Sequence, residues 1–184
     1  MKLFTSLRHV TLDKKIAVKA WHFAKEVALT TDYRDSLQID LAKIRIDHFK
    51  SKLGEEAVYN VLLQYGMVKP PDYNIYAPTQ KSWDADLYFE GMGIAVKTML
   101  RSDAGRYGLS WVFQFGNKRR DIIFDKPDAW IFFVECNDER KPTKEYELYV
   151  YPPYQLKELT FGSPKRKDLV GKKLVVYADM LPCL

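Results

Sequence analysis

The chain has 184 residues, 47% hydrophobic and 14% aromatic, which is enough to bury an ordinary core and excludes a disordered chain. Its formal net charge of +5 is modest, so any anionic partner must be argued from where the charge lies. Two cysteines, Cys136 and Cys183, are too few for a disulfide framework or a zinc site, and no run reaches the roughly 20 apolar residues of a membrane span. A soluble, reduced, cytoplasmic protein of one domain over residues 1–184 is expected, with residues 1–36 as an N-terminal helical extension.

From Leu12 to about Thr31 there is no Gly or Pro, and Ile16, Ala20, Phe23, Val27 and Ala28 recur at helical spacing behind Asp13. A second helix is expected to start at Asp35 or Ser36 and to run through Leu41, Ile44, Phe49, Leu53, Ala57 and Val61 until Gly66 stops it. Gly54 lies inside that pattern, where glycine costs about 1 kcal/mol relative to alanine. It marks either a break or a point of close backbone approach.

Beyond Pro70-Pro71 the texture turns β-prone and aromatic. Strands are predicted near Asn74–Ala77, Ala85–Phe89, Ile94–Met99, Trp111–Phe115, Ala129–Glu135, Glu147–Tyr151 and Lys173–Tyr177, with a hairpin turn at Gly91-Met92-Gly93 and a short helix near Tyr154–Leu159. Helices followed mainly by a sheet indicate an α/β (α+β) domain, a mixed sheet packed on helices.

Three residues in the middle of the chain suit one chemistry. Asp86 alternates with Ala85, Leu87 and Phe89, so its carboxylate leaves the core. Lys97 follows on the other arm of the hairpin, and Glu55 lies off the apolar stripe of its helix. Phosphodiester cleavage uses a hard cation held by one or two carboxylates, and a lysine to neutralise charge on the pentacovalent phosphorus. Asp86 and Glu55 are the candidate Mg²⁺ ligands, with Mn²⁺ as a substitute, and Lys97 is the candidate catalytic lysine. Each has a plainer reading: helix-start acids for Glu55, turn or strand-edge residues for Asp84 and Asp86, an edge guard for Lys97.

Gly54-Glu55, Ala85-Asp86-Leu87 and Ala95-Val96-Lys97 together resemble the PD-(D/E)xK nuclease superfamily, most closely the Holliday junction resolvases and the phage and restriction-type endonucleases. The resemblance covers roughly residues 50–136 and implies a restriction endonuclease-like core, magnesium and DNA as substrate. The chain departs from the pattern at Ala95, where an acid is expected two residues before the lysine. Either another carboxylate serves, Glu55 first and Asp84 next, with Glu56 and Glu90 behind them, or the position carries an inactivating substitution, or the chain binds nucleic acid without cutting it.

Between Lys97 and Lys126 the basic residues Arg101, Arg106, Lys118, Arg119 and Arg120 outweigh Asp103, Asp121 and Asp125, which suggests a phosphate-contacting loop and strand. Gln114 is a candidate for orienting water or substrate, against the plainer reading of an ordinary strand residue. A second basic cluster, Lys165, Arg166 and Lys167 with Lys172 and Lys173, is either a backbone-contacting loop or a solvated one. His9, His22 and His48 share no metal-ligand spacing, and GxGxxG, P-loop and nucleophile-elbow motifs are absent. Cutting both strands of DNA calls for two active sites, so a homodimer is expected, with Lys14, Lys15, Lys19 and Lys25 at a dimer face or DNA-contacting arm.

Overall fold

The structure is a computed structural model, and it describes residues 3–30, 40–76, 85–116, 119–137 and 145–182, with the Arg119 side chain left aside. A mixed sheet is covered on one face by two long helices and on the other by a smaller three-stranded sheet. Strand β1 (Arg8–Leu12) leads into helix α1 (Lys14–Thr30), followed by helix α2 (Leu41–Leu62) and the short strand β2 (Val68–Lys69). The hairpin β3 (Leu87–Phe89) and β4 (Met92–Leu100) comes next, then helix α3 (Arg101–Tyr107), β5 (Ser110–Gly116) and β6 (Arg119–Arg120). The chain ends with β7 (Trp130–Cys136), β8 (Tyr146–Val150), β9 (Tyr154–Gln155) and β10 (Lys173–Tyr177).

The main sheet runs β1-β8-β7-β4-β3-β2, with β9 also on β7, and the smaller one runs β10-β5-β6. In the main sheet β4 and β7 are parallel neighbours, and the other pairings are antiparallel. The strand between α3 and the first basic run thus belongs to a second layer.

Helix α1 buries Ala17, Ala20, Ala24 and Ala28, a stripe of small side chains that lets α2 approach closely. Ile16, Phe23 and Val27, expected on the apolar face, flank this stripe half-buried. The second helix starts at Leu41 behind Asp40, whose Oδ1 accepts the Ala42 and Lys43 N–H groups at 2.9 and 3.2 Å. Asp35 and Ser36 lie outside the described residues. Helix α2 does not break at Gly54. A methyl there would fall 1.8 Å from Thr98 Oγ1, so glycine is what lets α2 rest on β4. The run from Leu53 to Val58 is buried throughout, between α1, β4 and the segment after β2.

The two faces of β4 divide the core. Ile94, Val96 and Leu100 join α1, α2 and Phe132, Val134, Leu148 and Val150 in one cluster. Ala95 and Met99 pack against a second cluster of Trp111, Phe113, Ile131, Phe133 and Val176. The N-terminal region is mainly helix α1, as expected, and Phe4 and Leu12 ahead of it belong to the first cluster, so it packs into the core.

The predicted strands at 85–89, 94–99, 111–115, 129–135, 147–151 and 173–177 are present within two residues at each end. No strand forms at Asn74–Tyr76, and Ala77 lies outside the described residues. There Asp72 accepts the Asn74 N–H at 2.8 Å and the Tyr76 hydroxyl at 2.5 Å, local bonds that compete with a ladder. The helix expected near Tyr154–Leu159 is instead strand β9 and a 3₁₀ turn at Leu156–Glu158. The β3–β4 turn falls on Glu90-Gly91, both at positive φ, the geometry of a two-residue type I′ hairpin, while Met92 and Gly93 already belong to β4.

Candidate active site

Asp86 sits just before β3. The register Leu87 opposite Ile94, continued one step, sets Asp86 opposite Ala95 and on the same face as Lys97. Its Oδ2 accepts the Val96 N–H at 2.7 Å, so the carboxylate extends the ladder where the backbone leaves it. Asp86 presents surface to solvent, yet protein surrounds it closely enough that desolvation is the largest influence on its carboxyl. Desolvation raises its pKa, the Val96 N–H, Lys97 and Lys52 oppose the rise, and Asp121 adds to it.

Glu55 reaches the same neighbourhood from α2. It lies in the middle of the helix, not at its start, and is 6% exposed. Its Oε2 is 2.6 Å from Lys52 Nζ, one turn earlier. Burial pushes the Glu55 carboxyl up to about 8, Lys52 holds it down, and the charges of Asp86 and Glu56 raise it further. The Lys52 ammonium also stands 4.9 Å from the Phe23 ring and 5.5 Å from Tyr73.

Glu56, the next residue, accepts the Tyr73 hydroxyl at 2.9 Å and so ties α2 to the segment after β2. Glu90 accepts the Met67 N–H at 2.6 Å at the turn end of the hairpin. Asp84 lies outside the described residues.

Lys97 emerges on the face away from α2. Its Nζ is 2.9 Å from Asp121 Oδ2 and 4.9 Å from the Phe113 ring. Asp121 is the residue that sequence reasoning missed, counted there only as an acid offsetting a basic run. Its spacing from Lys97 carries no signal, because the two meet only when β5 folds back over β4. Gln114 contributes through its backbone, its N–H donating to Asp121 Oδ2 at 3.1 Å. Its side chain alternates with the buried Trp111 and Phe113 and therefore leaves from the other face of β5.

Among the described residues no three His, Cys, Asp or Glu side chains form a ready metal cage. The donor chemistry still suits magnesium, which needs only one or two carboxylates and fills its other positions with water and substrate oxygens. Burial raises the carboxyls of both Glu55 and Asp86, and the charge of Asp86 adds to the rise at Glu55.

Three of the candidate surface cations are paired with acids. Arg101 Nε bonds Glu135 at 2.6 Å, Arg120 pairs with Asp125, and Arg166 bonds Asp168 at 2.7 Å. Arg106 stacks over Tyr107 and Lys165 over Tyr177, while Lys167 is exposed. The expected loop after Lys97 is helix α3, and Lys118 lies outside the described residues. The two basic clusters do converge: Arg166 interacts with Tyr107 at the end of α3, and a methyl added at Gly108 would lie 3.4 Å from Lys165 Nζ.

No protein-family model matches the chain, and no curated protein or solved structure is significantly similar to it. No helix among the described residues is long and apolar enough to cross a membrane.

Proposed function

We propose that the chain is a metal-dependent DNA endonuclease of the PD-(D/E)xK type, with Asp86 and Glu55 as the Mg²⁺ ligands and Lys97 as the catalytic lysine. One observation carries the reading: Asp86 interacts electrostatically both with Glu55 of α2 and with Lys97 of β4, although these lie on opposite faces of the strand. Magnesium, or manganese in its place, would polarise a non-bridging phosphate oxygen and lower the pKa of a water. Asp86, fixed by the Val96 N–H, sets the position of the reacting phosphate. The Lys97 ammonium neutralises charge that builds on it. The convergent surface of α3 and residues 163–172 supplies phosphate contacts, and a homodimer would supply a second site for the opposite strand.

Supercoiled plasmid incubated with the protein and Mg²⁺ or Mn²⁺ tests this. Nicking is expected, falling about a hundredfold or more in D86A and in K97A. Ala95 favours a second reading, a non-catalytic DNA-binding domain of the same shape. Plasmid binding without nicking by the unaltered chain establishes that reading and removes the first.

A further inference from the structure

The carboxylate that touches Lys97 is not one of the metal-ligand candidates, and the way it is held gives it a different task. Asp121 follows β6 at the entrance to a 3₁₀ turn, Ile122–Asp125. The β5–β6 register, Phe115 opposite Arg120, continues one step to set Asp121 opposite Gln114. The Asp121 N–H donates to the Gln114 carbonyl at 2.9 Å. The return bond from the Gln114 N–H goes to Asp121 Oδ2, at 3.1 Å. The side chain thus replaces the backbone carbonyl that the turn carries away.

The same Oδ2 receives the Lys97 ammonium at 2.9 Å. An oxygen pinned by a strand N–H is a rigid acceptor. A lysine side chain is long and flexible, and such an anchor fixes where its ammonium sits. The Phe113 ring closes another side of the ammonium. An acid at Ala95 would share the strand face of Lys97, but Ala95 packs into the second core, so the partner of Lys97 comes from the neighbouring sheet.

We propose that Asp121 is a positioning residue: its carboxylate, clamped to β5, holds the Lys97 ammonium beside Asp86 and supplies the acidic partner that the lysine strand lacks. This rests on the nuclease reading above. Asp121→Asn is the informative change, since the amide oxygen can still accept the Gln114 N–H while the charge is lost.

In single-turnover nicking, D121N is expected to lower the rate about 10- to 100-fold with plasmid affinity within about twofold. In a K97M background D121N should add no further loss, because the two residues act as one unit. An unchanged rate in D121N, or losses that multiply in the double variant, overturns the proposal and leaves the nuclease reading intact. If the unaltered chain never nicks, that reading fails, and the Lys97 ¹⁵N-ammonium resonance decides the placement alone. An ordered signal lost in D121N supports it, and an unaltered signal overturns it. Should D121N not fold, the mobility of the Lys97 ammonium in the unaltered chain serves: order above that of the exposed Lys167 supports the clamp, and equal mobility removes it.

Discussion

The two faces of β4 hold charge in different ways. Toward α2, Glu55 and Glu56 are buried and are met by side chains, Lys52 and the Tyr73 hydroxyl. Toward β5, Asp86 and Asp121 are fixed by the strand N–H groups of Val96 and Gln114, and Lys97 reaches between layers to Asp121. The helix side is a packing device as much as a chemical one, since its partners also bind α1, α2 and the segment after β2 together. The strand side is preorganised by the ladders themselves, so its charged atoms keep their places without a tight core around them. Apart from Glu55, changes on the helix side should therefore be read first in stability, and changes on the strand side first in reactivity.

Four measurements press on that contrast. Gly54→Ala should be the most damaging, because its methyl meets Thr98 Oγ1 at 1.8 Å and Thr98 Cβ at 3.0 Å. We expect a loss of about 3 kcal/mol in urea unfolding, partly recovered by adding Thr98→Ala. Full stability in G54A would mean that α2 and β4 are not in close contact.

Tyr73→Phe leaves the Glu56 carboxylate, 7% exposed, without its hydroxyl donor. A loss of about 1.5 kcal/mol is expected, with nicking per folded molecule unchanged. A selective loss of nicking would erase the division between the two faces.

The third is a pH dependence. The Glu55 carboxyl keeps its proton up to about 8 in the folded chain, whereas its ordinary value is 4.5. Between those values the folded state binds the extra proton, so stability falls as pH rises and the fall ends above the folded value. Glu55→Gln removes this slope. The variant should gain on the unaltered chain between about pH 5 and pH 8 and run parallel to it beyond. Parallel curves throughout would show that Lys52 keeps Glu55 ionised.

The smallest effect concerns the surface. Arg101 already spends its charge on Glu135, so R101A should change stability by no more than about 0.5 kcal/mol. It should reduce the salt dependence of DNA binding less than K167A, which is expected to lower the slope by about one.

Much of this was readable in the chain. The spacing of Ile16, Ala20 and Phe23 marks α1, and the alternation at Leu87 and Phe89 turns Asp86 out of the core. The order of Asp86 and Lys97 across a glycine turn points to one hairpin. What escaped depends on partners distant in sequence. Strand β1 opens with Arg8 and His9 and alternates only over Val10-Thr11-Leu12, too short a run to mark a strand, and it forms because β8 offers an edge. Arg101 reads as a free cation until Glu135 of β7 is brought beside it. Lys52 was within view, three residues before Glu55, but that spacing alone does not tell a surface pair from one packed beneath Phe23 and Tyr73.

The parallel pairing of β4 with β7 also has a consequence for when the site exists. Antiparallel neighbours join through a tight turn, but these two strands are linked by α3, β5, β6 and the 3₁₀ turn that Asp121 leads into. The β3–β4 hairpin forms locally and sets Asp86 near Lys97 early. Asp121 arrives only once that long crossover has closed, a non-local and hence slow event. A nascent chain that has emerged only as far as β4 holds Asp86 and Lys97 without Asp121, and the Lys97–Asp121 ion pair waits on the second sheet to dock.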